Sequence, residues 1–185
     1  MPLRKIISKF FFQTLAGWKY HGVFPHHVPK YLIVVAPHTS NWDFVIGVLT
    51  RNITGLKSNF VGKKELFVFP FGYLFRWLGG HPVDRSANRN FVDEVANLYI
   101  SLPQFVVAVA PEGTRKKTDR LKSGFYYIAK KADIPILPVG LDYKTKTVVV
   151  GELHKVADSF EEEQKQLLDF FATITGKFPK HDLRP

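Results

Sequence analysis

From Leu3 to Trp18 the apolar and polar positions recur with a helical period. At about 100° per residue, Leu3, Ile6, Ile7, Phe10, Phe11 and Trp18 share one face, while Lys5, Ser8, Lys9 and Gln13 share the other. Phe12 is the misfit, lying among the polar residues. The pattern predicts an amphipathic helix within residues 1–24, ahead of a domain formed by residues 25–185. Pro25 and Pro29 mark a loop, and residues 31–36 form a short β-branched apolar run typical of a buried strand, stopped by Pro37. Thr39 or Ser40 can cap a helix over residues 41–51, and residues 60–62 suggest the next strand.

Further along, residues 90–101 read as a helix and residues 105–110 as a fully apolar strand ended by Pro111 and Gly113. A helix over 124–132 leads into a strand over 134–142. Residues 146–150 and 153–156, separated by Gly151-Glu152, predict a terminal ribbon. Ser159 with Glu162 three positions on resembles a capping box that opens a last helix, running to about Thr175 before Gly176. Strands alternating with helices predict a single α/β domain with a mostly parallel central sheet flanked by helices.

Composition narrows the function. A chain of 185 residues with 45% apolar content can bury one sizeable core, and Lys and Arg total 26 against 16 Asp and Glu, a net charge of +10. The balance favours an anionic partner: nucleic acid, acidic lipid or a phosphorylated small molecule. Cysteine is absent, which excludes disulfides, thiolate zinc sites and a cysteine nucleophile and suits a reducing compartment. The apolar stretch over residues 6–18 is broken by Lys9 and Gln13 and is shorter than the roughly 20 residues of a spanning helix, so it is expected to lie in a membrane interface or against the core. Nor does it have the form of a cleavable signal.

Three segments hold candidate chemistry. His38-Thr39-Ser40-Asn41-Trp42-Asp43 follows a buried strand, where α/β folds commonly place their ligands. In one continuous helix His38 and Asp43 would point about 140° apart, so a turn at His38 is needed to bring the ring to the carboxylate. So placed, Asp43 fixes the tautomer of a general base. On these two residues alone a plainer alternative stands beside it, with Asp43 closing a cap on Ser40 and His38 a surface turn residue. Pro111-Glu112-Gly113-Thr114-Arg115 ends another apolar strand, with Gly for a tight turn and a planar guanidinium suited to phosphate oxygens. Val83-Asp84-Arg85 follows Gly79-Gly80 and offers a second guanidinium. His26, His27 and His81 show no metal-site spacing and read as loop residues.

In this order the segments resemble the glycerophospholipid acyltransferase family, of which the 1-acyl-sn-glycerol-3-phosphate acyltransferases are the best-known class. The family's His-x4-Asp block is matched by His38 and Asp43. Its second block is matched by Lys64-Glu65-Leu66, Pro70-Phe71-Gly72, Gly79 and Arg85, and its Glu-Gly-Thr-Arg block by Glu112 to Arg115, with Lys122 and Gly124 following. The proline-bearing apolar strand that forms the fourth block is matched by Ile134-Pro135-Ile136-Leu137-Pro138-Val139. Pro37 departs from the Asn that often precedes the family's His.

The resemblance implies a peripheral membrane O-acyltransferase on the cytoplasmic face, active in phospholipid biosynthesis. It would use no cofactor and no metal, with acyl-coenzyme A or acyl carrier protein thioester as co-substrate. His38, paired with Asp43, would take the proton of an acceptor hydroxyl, which attacks the thioester. Arg85, Gly113, Thr114 and Arg115 would bind the acceptor's phosphate, with Glu112 supporting the turn or ordering Arg115. Ser40 is better explained as a cap than as a nucleophile. The implied acceptor is lysophosphatidic acid; alternatives are the same chemistry on lyso-ornithine lipid or glycerol 3-phosphate, or a non-catalytic basic module on an anionic membrane. No nucleic-acid fold signature is present. The aromatic-rich residues 66–78 belong either to the core or to a groove or lipid contact where an acyl chain enters.

Overall fold

The computed structural model describes residues 3–83, 88–115, 117–118 and 120–181. Asp84, Arg85 and Lys116 therefore lie outside the described residues. Seven strands form one sheet: β1 (Lys19–His21), β2 (Lys30–Ala36), β3 (Asn59–Lys63), β4 (Gly80–Val83), β5 (Phe105–Val109), β6 (Ile136–Asp142) and β7 (Thr147–Val150). The sheet order is β1-β7-β6-β2-β5-β3-β4, and every pairing is parallel except β6 with β7. Among the described residues six α-helices accompany it: α1 (Leu3–Lys9), α2 (Trp42–Thr54), α3 (Phe71–Trp77), α4 (Asn88–Ser101), α5 (Gly124–Ala132) and α6 (Phe160–Phe171).

β2 shows why the sheet needs cover on both faces. Its side chains alternate between two cores: Leu32 and Val34 pack with Val95, Tyr99, Phe125 and Ile128, while Tyr31 and Ile33 pack with Phe12, Ile46 and Ile53. Helices α4 and α5 thus close one face, and α2 with the amino-terminal segment closes the other. Ser159 accepts the Glu162 N–H at the start of α6, as the capping box predicts.

Several elements differ from the sequence reading. The expected pairing of 146–150 with 153–156 does not form: β7 pairs with β6 and β1, and His154 makes only an isolated bridge to Ile136. β6 begins at Ile136 and α6 ends at Phe171, so both are shorter than expected. His81, expected in a loop, lies with Pro82 in strand β4; a proline is tolerated there because β4 is an edge strand. His81 stands edge-on to Phe105.

The largest difference is at the amino terminus. After α1 the chain makes a π-helical turn over Phe10–Leu15, and the extra residue per turn rotates Phe12 into the core, where it is fully buried. Ser8 is buried with it and accepts a hydrogen bond from Asn52 of α2. Trp18, placed by the wheel on the apolar helical face, instead follows Gly17 into the core and stacks edge-on against Tyr143. The helix therefore packs through its nominally polar side. Leu3, Ile6, Ile7, Phe10 and Phe11 remain exposed.

Beyond the sheet, His154 Nε2 donates to fully buried Glu163 at 2.9 Å, and the other Glu163 oxygen accepts the Ala157 N–H. The Glu163 bond raises the His154 pKa above its ordinary 6.5, against the opposing effect of burial. Stability from this pair is thus present below pH 6.5 and fades as pH rises through the raised value. Thermal melts from pH 5.5 to 8.5 are expected to show the wild type losing more stability with rising pH than His154→Gln; parallel curves would remove the charged pair from the account.

Candidate active site

Three neighbouring parallel strands deliver the site. β5, β2 and β6 lie side by side, and their carboxyl ends open onto one edge of the sheet. β2 ends at Ala36, and the following turn places His38 before α2 begins at Trp42. His38 Nδ1 stands 3.0 Å from Asp43 Oδ2. The same oxygen accepts the Ser40 N–H at 2.9 Å, and Ser40 Oγ accepts the Trp42 N–H. Asp43 thus closes the turn on Ser40 and also meets the imidazole. With Nδ1 directed at a carboxylate, Nε2 is the nitrogen left for a substrate proton.

Glu112, delivered by β5, is buried, and its Oε1 accepts the His38 backbone N–H at 2.7 Å. Its place is thus across the strand boundary, on the turn that holds His38, and no pattern in the sequence indicates a partner 74 positions away. Tyr143, just past β6, donates its hydroxyl to Asp43 Oδ1 at 2.6 Å. Thr39 Oγ1 accepts the Phe178 N–H, and Lys177 lies 5.0 Å over the Trp42 ring, so the carboxy-terminal segment also braces the first motif. Of these partners only Glu112 is singled out by the sequence, as a support of its own turn or of Arg115 and not as a partner of the His38 backbone. Tyr143 had only one signal, its place immediately after a buried strand.

Gly113, Thr114 and Arg115 are exposed and line the same cleft as His38 and Asp43. The half-open cleft extends past Phe44, Gly47 and Val48 of α2 and Phe60 of β3. Gly113 has φ +63°, and a β-carbon there would stand 2.7 Å from Lys122 Nζ. The left-handed backbone favours glycine, and a side chain there would have to displace the end of Lys122. The Lys122 ammonium thus lies against the loop that bears Thr114 and Arg115. Arg85, the other expected phosphate ligand, lies outside the described residues. Among the described residues no group of acidic, His or Cys side chains is arranged to hold a metal ion.

Residues 66–78 belong to the core only in part. Phe67 is buried and packs with Phe60 and Phe75, whereas Phe69 and Trp77 are 83% and 79% exposed, with Phe71 and Tyr73 also outward. Among the described residues no helix is long and apolar enough to cross a membrane.

Residues 19–142 match the Acyltransferase protein family. The chain is 30% identical over 129 residues to the 1-acyl-sn-glycerol-3-phosphate acyltransferase of Escherichia coli, a stretch covering 66% of this chain and 51% of that protein. To the enzyme of the same name from Cocos nucifera it is 36% identical over 88 residues, 44% of this chain and 28% of the relative. The chain thus spans about half the length, or less, of these curated relatives. In fold it is similar to the 1-acyl-sn-glycerophosphate acyltransferase PlsC of Thermotoga maritima, with a TM-score of 0.59 and 21% identity, covering 90% of this chain and 75% of that one. The motif blocks, the α/β sheet that presents them and the match across 19–142 place this chain in the glycerophospholipid acyltransferase family, whose members are O-acyltransferases.

Proposed function

We propose that the protein transfers a fatty acyl group from a thioester of coenzyme A or acyl carrier protein to the hydroxyl of a lysophospholipid, 1-acyl-sn-glycerol-3-phosphate, at an anionic membrane surface. The observation that supports this most directly is His38 Nδ1 at 3.0 Å from buried Asp43, in a cleft shared with Arg115. His38 Nε2 takes the acceptor's hydroxyl proton as the oxygen bonds to the thioester carbonyl carbon. The tetrahedral adduct then collapses, the carbon–sulfur bond breaks, and the imidazolium returns the proton to the departing thiolate. Asp43 stabilises the transient imidazolium and keeps Nδ1 protonated throughout. Arg115 and Thr114 bind the acceptor's phosphate, with Arg85 assigned to it by motif, and the apolar length of the cleft between α2 and β3 receives an acyl chain.

Incubating the purified protein with lysophosphatidic acid, lyso-ornithine lipid and glycerol 3-phosphate, each with both thioester donors, tests the reading by mass spectrometry of products. Phosphatidic acid is expected from the first acceptor. Product from lyso-ornithine lipid alone would overturn the phosphate assignment while keeping the chemistry. Arg115→Ala is expected to raise the acceptor KM about 10- to 100-fold, the worth of a charge-assisted hydrogen bond, and to leave the donor KM unchanged. Lys at this position should restore only part of the loss, because it lacks the planar fork. Equal damage to both KM values would mean that Arg115 holds the loop instead.

A further inference from the structure

We propose that Tyr143 is a positioning residue of the transfer reaction: its hydroxyl fixes the Asp43 carboxylate and thereby sets how His38 is oriented and how strongly its imidazolium is held. The inference rests on the reading of His38 as general base. Asp43 receives donors on both oxygens. Oδ2 takes the Ser40 N–H and faces His38 Nδ1, while Oδ1 takes only the Tyr143 hydroxyl, at 2.6 Å, among the described residues. Without that bond the carboxylate keeps one anchored oxygen and gains rotational freedom, and the charge shared with Tyr143 returns to the oxygens facing the ring.

Tyr143 is itself held for this purpose. Its backbone N–H donates to Thr175 at 2.8 Å, and its ring stands edge-on to buried Trp18, centroids 4.9 Å apart at 88°. Trp18 donates its backbone N–H to Phe12 at 2.8 Å, so the aromatic platform under Tyr143 is built by the amino-terminal segment. The neighbouring Asp142 does not compete for the hydroxyl. Its carboxylate is taken up by Thr145, the Lys144 N–H and the Thr175 N–H. Burial, and then the bond to Asp43, push the Tyr143 phenol well above the ordinary tyrosine range, which keeps it a donor at any pH where the enzyme works. The titratable and charged groups the structure places beside this cluster are His38, Glu112 on the His38 N–H, Asp142 next in the chain, Lys146 at the Ala16 carbonyl and Lys177 over Trp42.

Tyr143→Phe keeps the ring against Trp18 and deletes only the donor. In steady-state kinetics with the full chain, kcat is expected to fall about 10-fold with both KM values unchanged, the worth of one buried hydrogen bond to a charged group. The acid limb of the kcat profile is expected to move to higher pH, because a carboxylate with one donor fewer holds the imidazolium more tightly. In an Asp43→Asn background the same substitution should have little further effect. A wild-type kcat, or a lowered kcat with an unmoved acid limb and additive effects in the double variant, would overturn the proposal. His38→Ala measured alongside separates the two ideas: an inactive His38→Ala with a wild-type Tyr143→Phe sinks this inference alone, and an active His38→Ala sinks the base assignment itself.

Discussion

His38→Ala is expected to lower transfer about 10³-fold, within the range that a positioned general base contributes, while the protein melts close to wild type. The two halves of that expectation have separate physical origins. The rate falls because, among the described residues, no other titratable side chain is bonded to Asp43 in a position to accept the acceptor's proton; Tyr143, the remaining partner, is a phenol kept protonated by burial. Stability survives because removing the ring does not orphan the buried carboxylate, which keeps the Ser40 N–H and the Tyr143 hydroxyl. Asp43→Asn acts on the rate in another way. An amide whose oxygen takes the Ser40 N–H and faces His38 Nδ1 turns its NH2 to the Tyr143 oxygen, and in either orientation it has no charge to stabilise the imidazolium. That variant is expected to lose most of the rate. Activity of His38→Ala within tenfold of wild type, measured with saturating donor and acceptor, would remove the general-base assignment.

How much of this was legible in the sequence depends on how local each signal is. The buried strands β2, β5 and β6 and the cap of α6 are written in runs of a few residues, and these were read correctly to within two or three positions. His38 and Asp43 stand out through their match to the family's His-x4-Asp block, a relation that spans one turn. The contact from Glu112 to the His38 backbone and the role of Tyr143 do not, because both residues meet that turn only after the chain has crossed the sheet, 74 and 100 positions away. The sheet edges failed for another reason. β1 is three residues long and fully exposed, and β4 contains a proline, so neither shows the alternation that marks a strand. At the amino terminus the helical wheel assumed one unbroken period, and the π-turn over Phe10–Leu15 breaks it. Phe12, the misfit of the regular wheel, is the residue the altered period buries.

That same turn decides how membrane association should be tested, and replacing Leu3, Ile6, Ile7, Phe10 and Phe11 with Ser is expected to lower binding to anionic vesicles by at least about 100-fold. Fully burying one such side chain contributes roughly 1.5–3 kcal/mol, so even partial insertion of five exceeds the 2.7 kcal/mol that a hundredfold change requires. Each of Arg4, Lys5 and Lys9 near the headgroups adds about 1 kcal/mol, a share that salt should weaken while the apolar share persists. Deleting the whole segment is the poorer experiment. It would strip Phe12 from the core and uncover Trp18 and Ile53, confusing lost binding with lost folding. The five serines touch only exposed side chains, and Trp18, being buried, should contribute nothing to the lipid contact directly. Vesicle sedimentation at low and high salt reads the result. If the substituted protein still sediments like wild type, the lipid contact lies instead on the other outward apolar segment, at Val68, Phe69, Phe71, Tyr73 and Trp77. That segment reaches α2 through Arg51, whose guanidinium donates to the Leu78 carbonyl, and replacing its exposed aromatics should then release the protein.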